Sequence, residues 1–518
     1  MNGAQALIRT LVDCGVDVCF MNPGTSEMHF VAALDTVPEM RGVLALFEGV
    51  ATGAADGYGR MTDKPAAVLL HLGPGLGNGL ANLHNARKGQ TPIVNIVGDH
   101  ATYHKQYDAQ LESDIETVAK NVSSWICWSQ KPEEVAVDAA DAVLAALGPP
   151  GQVATQILPA DVSWTEGADP ASPKPLQERA PVDSELVDSI AEILATGEPA
   201  AIFLGGRATR ERALVAASRV ANATGAKLMC ETFPSRLERG AGRPAIDRLA
   251  YLAEFAMMQL EGLKHLILVD AKAPVSFFAY PDKASYLVPD GCEVHILASN
   301  TEDTADALEQ LAEAVGAPAD GATLQEPSLP ELPEGPLTAD AVCKVLGALL
   351  PENAIISDEG NTSGLFAPAY TAGSPKHDWL TLTGGAIGQG LPLSVGAAVA
   401  CPDRKVICLE SDGSSLYTIQ ALWTMAREEL DVTTILFNNS SYAVLNMELN
   451  RVGVDEPGPM AKSMLDLHKP DLDFVSISNG LGVPATRATT ADELIEQFTE
   501  ALAYPGPRLI ECIVPSIL

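Results

Sequence analysis

Residues 405–442, KVICLESDGSSLYTIQALWTMAREELDVTTILFNNSSY, limit the architecture more than any other part of the chain. The apolar run 406–409 predicts a buried strand, and the turn Ser411-Asp412-Gly413-Ser414 follows it. Residues 416–430 carry apolar side chains at helical spacing, and 432–437 is a second, β-branched strand. Strand, turn, helix and strand make one parallel βαβ unit. Asp412 and Asn438-Asn439 then share the carboxyl edge of a parallel sheet, where such sheets bind ligands. A carboxylate, an amide oxygen and free turn amides at that edge suit a diphosphate held through Mg2+, a hard cation that takes oxygen ligands.

The remainder of the chain fits an α/β protein of about three domains, as 518 residues allow. Residues 1–165 alternate helix and strand: a helix over 5–14 and strands over 16–20, 43–47, 66–71 and 93–97. A helix over 49–61 follows Glu48, and a glycine loop over 71–79 follows the third strand. That loop lacks the full G-x-G-x-x-G spacing and the later acidic residue of a dinucleotide site, so we expect a tight strand-to-helix turn beside a ligand. Hydrophilic linkers at 166–183 and 316–336 flank a second alternating unit, 184–315, and the third unit runs over 337–518. Acidic residues outnumber basic ones 67 to 33, a net charge of −34, which argues against nucleic-acid or anionic-membrane partners. Nine scattered Cys without a CxxC pair point to a reducing cytoplasm, and no apolar run reaches the ~20 residues of a membrane span.

Asp412-Gly413, 24 further residues, then Asn438-Asn439 resembles the binding signature of thiamine-diphosphate (ThDP) enzymes, although Ser411 stands where that family usually has Gly. Glu48, acidic at the end of an apolar strand, reads on its own as a helix cap or as a buried functional carboxylate. Its context, Phe47-Glu48 followed by the Ala/Gly-rich stretch 49–57, resembles the family's activating glutamate, which shares a proton with the cofactor's aminopyrimidine. The resemblance then covers nearly the whole chain. It implies three doubly wound parallel-sheet α/β domains: pyrimidine-binding, central and diphosphate-binding. Asn22-Pro23-Gly24-Thr25, Leu70-His71 and Ala421-Leu422-Trp423-Thr424 resemble benzoylformate decarboxylases, and the overall pattern resembles acetolactate synthase large subunits.

The resemblance implies site roles as follows. Asp412, Asn439 and the Ser441 carbonyl would bind Mg2+, while Gly413, Ser414, Asn361 and Thr362 would hold the diphosphate, with Tyr442 alongside. The Gly385 carbonyl would accept from the 4'-amino group, and Ile387 would bend the cofactor. Thr25 and His71 occupy positions of a substrate-contacting serine and a catalytic histidine, the latter able to move protons near neutral pH. His100 and His104 border the same edge as polar loop residues. Gln110 replaces an apolar substrate contact, and Leu445 replaces an acid found in pyruvate decarboxylases, with Glu448 one helical turn later. The decarboxylases' second histidine is missing: residues 276–280 read Ser-Phe-Phe-Ala-Tyr. We therefore expect action on a 2-oxo acid by decarboxylation, with transfer to an aldehyde or second 2-oxo acid (carboligation). Gly205-Gly206-Arg207 is too short a signal to decide whether the central unit binds FAD, as acetolactate synthases do. A homodimer or dimer of dimers, such as a homotetramer, is expected because one cofactor needs both the first and third domains. A ThDP-dependent C–C lyase or hydrolase and a non-catalytic cofactor-binding homologue are the competing readings.

Overall fold

The computed structural model describes residues 1–454 and 456–516. Three sheets carry it, and each forms where short β-branched and apolar runs alternate with helices. The first sheet has six parallel strands in the order Arg41–Leu44, Val18–Asn22, Ala66–Leu70, Ile93–Asp99, Val153–Pro159, Trp125–Trp128. The second has five, in the order Asp247–Arg248, Lys227–Cys230, Ala200–Leu204, His265–Val269, Glu293–Ala298. The third has seven, in the order Ala485–Ala488, Arg508–Ile513, Val432–Asn438, Val406–Ser411, Ile355–Asp358, His377–Leu380, Leu237–Arg239. Its last strand is antiparallel and comes from the chain between strands of the second sheet, which ties the central unit to the third.

In the first and third sheets the chain reverses its direction of winding beside a strand pair whose ends matter later. In the first sheet Asn22 lies in register with Leu70, so Gly24 and His71 leave neighbouring strand ends. In the third sheet Asp358 lies in register with Leu409, so the segments 359–362 and 411–414 leave together. Crevices at such reversals are where open α/β sheets take ligands.

The first and third units are joined by two Ala/Gly-rich helices, Glu48–Thr62 and Gly390–Ala400. A Cβ on Gly57 would stand 2.1 Å from the Leu393 carbonyl oxygen, and one on Gly396 would stand 1.8 Å from that of Ala54. Only glycine lets the two backbones touch there. At the end of this seam Arg60 and Asp56 form a fully buried ion pair at 2.6 Å. Arg60 also donates to the carbonyls of Thr381 (2.7 Å) and Ser235 (3.2 Å), so one side chain links all three units.

Two local expectations change. The glycine run after His71 is not a loop: a helix spans Leu72–Lys88 and contains all four of its glycines. Each glycine inside a helix costs about 0.5–1 kcal/mol relative to alanine, and close packing offsets that cost. A Cβ on Gly73 would overlap Ser113 Oγ at 1.9 Å, and one on Gly79 would meet Thr52 Cγ2 at 2.8 Å. The helix expected over 416–430 is shorter and begins earlier: a turn of helix at Asp412–Ser415, turns over 416–420, then Ala421–Arg427. Leu416 and Tyr417 are exposed instead of packed, and Thr418 Oγ1 donates to the Gly388 carbonyl at 2.9 Å.

Candidate functional site

In the third unit, Asp412 opens its helical turn at the end of strand Val406–Ser411, buried and pointed at the loop after Val432–Asn438. Its Oδ2 accepts from the backbone amides of Asn439 (3.0 Å) and Ser440 (2.6 Å), and its Oδ1 from that of Gly413 (2.8 Å). Burial holds this carboxyl above its ordinary range, against the pull of those amides. Asn439 Oδ1 accepts from the Ser441 amide at 3.0 Å, while Asn438 turns away to donate to buried Glu511 at 2.7 Å. Across the crevice, Asn361 Nδ2 donates to Ser414 Oγ (2.9 Å) and Ser411 Oγ (3.2 Å). Thr362 is half-buried beside it. A Cβ on Gly413 would lie 2.4 Å from the Tyr442 ring, so that glycine and tyrosine are in contact. These residues meet at one strand-end crevice.

Gly385 takes φ +72°, and a Cβ there would lie 2.5 Å from Phe277 Cζ. The segment 276–280 therefore does reach this loop, bringing an aromatic ring instead of an imidazole. Phe277 packs edge-on against Phe233 and Phe278 and tilted against Tyr251. Ile387 is half-buried in the same loop. Leu445 is exposed on helix Ala443–Arg451; Glu448, one turn on, accepts from Tyr280 Oη at 2.5 Å, and Arg451 lies over the Tyr280 ring at 4.3 Å.

In the first unit Glu48 starts its helix, is buried, and accepts from Asn78 Nδ2 at 3.1 Å. His71 Nδ1 meets Glu27 Oε2 at 2.8 Å, and the same oxygen accepts from the Gly24 amide at 2.7 Å. Leu72, immediately after His71, takes φ +50°, a strained conformation for leucine that fixes the direction in which the histidine leaves its strand. Thr25 and Gln110 are exposed, and neither is brought against Glu48 or His71 by a hydrogen bond among the described residues. His100 and His104 lie ring to ring at 5.4 Å.

Two carboxylate arrangements were not foreseen. Glu27 is buried, and burial raises its pKa while His71 pulls it back. A Cβ on Gly98 would fall 1.7 Å from Glu27 Oε1, so glycine there leaves the acid its space. Behind the loop 385–388, buried Glu359 accepts from the amides of Gly388 (2.7 Å) and Gly390 (2.5 Å), with Glu410 beside it. Burial pushes Glu359 up to about 7, and burial together with Glu359 raises Glu410 further. A Glu closing an apolar strand, as at Leu409-Glu410, was the available signal.

Family models match both ends of the chain that build these crevices. Residues 1–121 match the thiamine pyrophosphate enzyme N-terminal TPP binding domain, and residues 358–512 match the C-terminal TPP binding domain. The chain belongs to the thiamine-diphosphate-dependent enzymes. Over its whole length, and the whole length of the relative, it is 60% identical to the "Putative acetolactate synthase large subunit IlvX" of Mycobacterium tuberculosis. It is 30% identical to a benzoylformate decarboxylase of Pseudomonas aeruginosa, with 96% of each chain covered. Among solved structures, it is similar to a thiamine diphosphate-dependent 4-hydroxybenzoylformate decarboxylase of Rhodococcus jostii RHA1, at TM-score 0.88, 25% identity and 99% coverage of both chains. The three-sheet α/β fold is thus that of ThDP-dependent decarboxylases. No helix among the described residues is long and apolar enough to cross a membrane, and all nine cysteines are free.

Within this ThDP enzyme one helix relates the two crevices. Helix Leu72–Lys88 starts at His71, and further along it Asn82 and Asn85 hold the loop 385–388 of the same chain. Asn82 Nδ2 donates to the carbonyls of Gly49 (2.8 Å) and Gly388 (3.2 Å). Asn85 donates to the Ala386 carbonyl (2.8 Å) and accepts from its amide (3.1 Å). Those asparagines stand a rise of roughly 16–21 Å beyond His71 at 1.5 Å per residue.

Proposed function

We propose that the enzyme decarboxylates a 2-oxo acid and passes the remaining acyl fragment to a second carbonyl compound, using ThDP held through Mg2+. One observation carries this reading: the Asp412 carboxylate and the Asn439 side-chain oxygen are brought together at a strand-end crevice, beside Gly413 and the Asn361–Ser414 contact. A carboxylate with amide and carbonyl oxygens is the donor set a hard divalent cation takes. When bound, ThDP supplies a sink for the electron pair released as CO2 leaves.

The chain's own groups do the rest. Asp412, the Asn439 side-chain oxygen and the Ser441 carbonyl hold the cation, and the turn amides from Gly413 face the diphosphate. Gly385 would offer its carbonyl to the aminopyrimidine of ThDP, and Ile387 would give the group an apolar support. Glu48, shielded from water, holds a proton at the pyrimidine ring nitrogen. His71, kept in place by Glu27, gives and takes a proton at the substrate oxygen. Thr25, Gln110 and Leu445 border the substrate. Phe277 and its aromatic neighbours exclude water and offer no proton where decarboxylases have a second imidazole. The lack of an imidazole in the segment 276–280 would leave one proton donor fewer at the site, which favours the carboligation reading.

The half-sites come from two chains. Glu48 and His71 share no hydrogen bond or ion pair with Asp412 or Asn439 among the described residues. The helix that clamps the cofactor loop carries its own His71 away from it.

The test is Asp412→Ala with calorimetry of ThDP binding in Mg2+, alongside mass identification of products from a panel of 2-oxo acids with and without an aldehyde. Loss of Mg2+-dependent ThDP binding and a condensation product are expected. Unchanged ThDP affinity in the variant would remove the basis of the reading.

A further inference from the structure

Away from the cofactor crevices, the central sheet gathers three ligand-type side chains at its opposite, amino edge. His265 opens strand His265–Val269, and Glu293 and His295 lie on the neighbouring edge strand Glu293–Ala298. The parallel register pairs His265 with Glu293 and Ile267 with His295. Because side chains alternate along a strand, His265, Glu293 and His295 all project from one face. Helix Ser184–Ala195 ends close by, and Glu198 after it reaches the same group.

The contacts are those of ligands around a shared point. His265 Nδ1 lies 3.1 Å from His295 Nε2, and Glu293 Oε2 lies 3.9 Å from that same His295 nitrogen. One ligand atom from each of the three falls within 4.8 Å of the others. Tetrahedral zinc with bonds of about 2.0–2.1 Å to nitrogen and oxygen sets its ligand atoms about 3.3 Å apart. The two imidazole nitrogens are already near that spacing, and the exposed Glu293 carboxylate can swing inward.

The other ring nitrogen of His265 decides the tautomer. Nε2 lies 3.2 Å from Glu198 Oε2 and donates its proton there, so Nδ1 carries a lone pair turned toward His295. A ligand imidazole whose far nitrogen is held by a carboxylate is the usual outer arrangement of protein metal sites.

We propose that His265, His295 and Glu293 form a site for a first-row divalent cation of the zinc type, oriented by Glu198 and separate from the ThDP site. Nitrogen ligands select against Mg2+ and for Zn2+ and its neighbours. The bound cation would cross-link the edge strand Glu293–Ala298 to the interior of the central sheet.

The experiment uses the holoenzyme saturated with ThDP and Mg2+, dialysed against micromolar Zn2+ and assayed for metal content. One zinc per chain is expected in the wild type and none above background in His295→Gln, with ThDP-dependent activity unchanged in that variant. Glu198→Gln should weaken zinc retention by roughly ten- to a hundredfold, the effect of removing a carboxylate that orients a ligand histidine. Co2+ substituted for Zn2+ should give the intense visible absorption of a tetrahedral nitrogen–oxygen site, absent in His295→Gln. Equal zinc content in the wild type, His295→Gln and Glu293→Gln overturns the proposal, as does a wild type that retains none.

Discussion

Removing the Asp56 carboxylate tests how the loop 385–388 is held. Asp56 accepts from Arg60 Nε (2.8 Å), Arg60 Nη2 (2.6 Å), Thr91 Oγ1 (2.6 Å) and Gln389 Nε2 (3.1 Å). The Asp56 and Arg60 side chains are 0% and 1% exposed. In Asp56→Ala the guanidinium keeps its contacts to Ser235, Thr381 and Thr383 but stays buried without a counter-charge. Breaking such a pair by deleting one partner costs about 3–5 kcal/mol. At roughly 2–4 °C per kcal/mol, the apparent melting midpoint followed by circular dichroism should fall by roughly 6–20 °C. The control is Glu39→Ala: its partner Arg9 is 30% exposed and Glu39 51%, and solvent screening leaves such a surface pair little weight in stability. Gln389 sits between Gly388 and Gly390, so the same substitution should also weaken ThDP binding measured by fluorescence titration. If Asp56→Ala melts with the Glu39→Ala control and binds ThDP as the wild type does, the buried pair is not what fixes the seam and the loop.

Glu48→Gln should bind ThDP but lose activity by orders of magnitude, because an amide keeps the hydrogen bond from Asn78 and cannot exchange a proton with the pyrimidine; turnover near the wild-type rate would reduce Glu48 to a helix start. His377 is buried with Nδ1 donating to the Pro375 carbonyl at 2.7 Å, and burial lowers its pKa to about 3. A base depressed in the folded state leaves stability intact above its unfolded value near 6.5 and removes it as pH falls from there toward 3, at about 1.4 kcal/mol per unit. Melts from pH 7 to 4 should therefore fall less steeply in His377→Gln than in the wild type, and parallel curves would sink the assignment. Mixing inactive Glu48→Gln with inactive Asp412→Ala subunits should restore part of the activity, since some heterodimers regain one intact site. If subunits demonstrably exchange and nothing returns, the two-chain site is wrong.

What was legible in the chain was whatever lies at fixed spacing across one strand–turn–strand. Asp412 and Asn439 bracket a single βαβ unit, and Glu48 follows its strand directly, so spacing and context alone bring them to notice. The three parallel sheets were legible for the same reason. Pairings set by strand register were not. Glu27 meets His71 only because strands Val18–Asn22 and Ala66–Leu70 lie side by side. Glu359 meets Glu410 only because Ile355–Asp358 neighbours Val406–Ser411. The histidine cluster depends on His265 and Glu293 lying level across two strands. The glycines after His71 misled because glycine marks loops by conformational freedom, whereas here it is required by close packing inside a helix.

The Ala/Gly-rich helices carry the same lesson into assembly. Their composition suited either a subunit interface or an internal core, and the contacts of Gly57 and Gly396 make Glu48–Thr62 and Gly390–Ala400 an internal seam. That seam, with the Asn82 and Asn85 clamps, fixes the first and third units of one chain against each other at backbone distance. Helix Leu72–Lys88 starts at His71, and Asn82 and Asn85 contact the loop 385–388 from further along it. Large apolar side chains stand exposed near the two crevices, Leu46, Tyr103 and Leu111 in the first unit and Leu365, Phe366 and Tyr417 in the third, alongside the polar Thr25, Gln110 and Asn361. A second copy related by a two-fold axis would cover both sets at once, because a self-complementary interface places the first unit of each chain on the third unit of the other. A seam that holds the two units of one chain at backbone distance fits the proposal that each site is completed by a second copy.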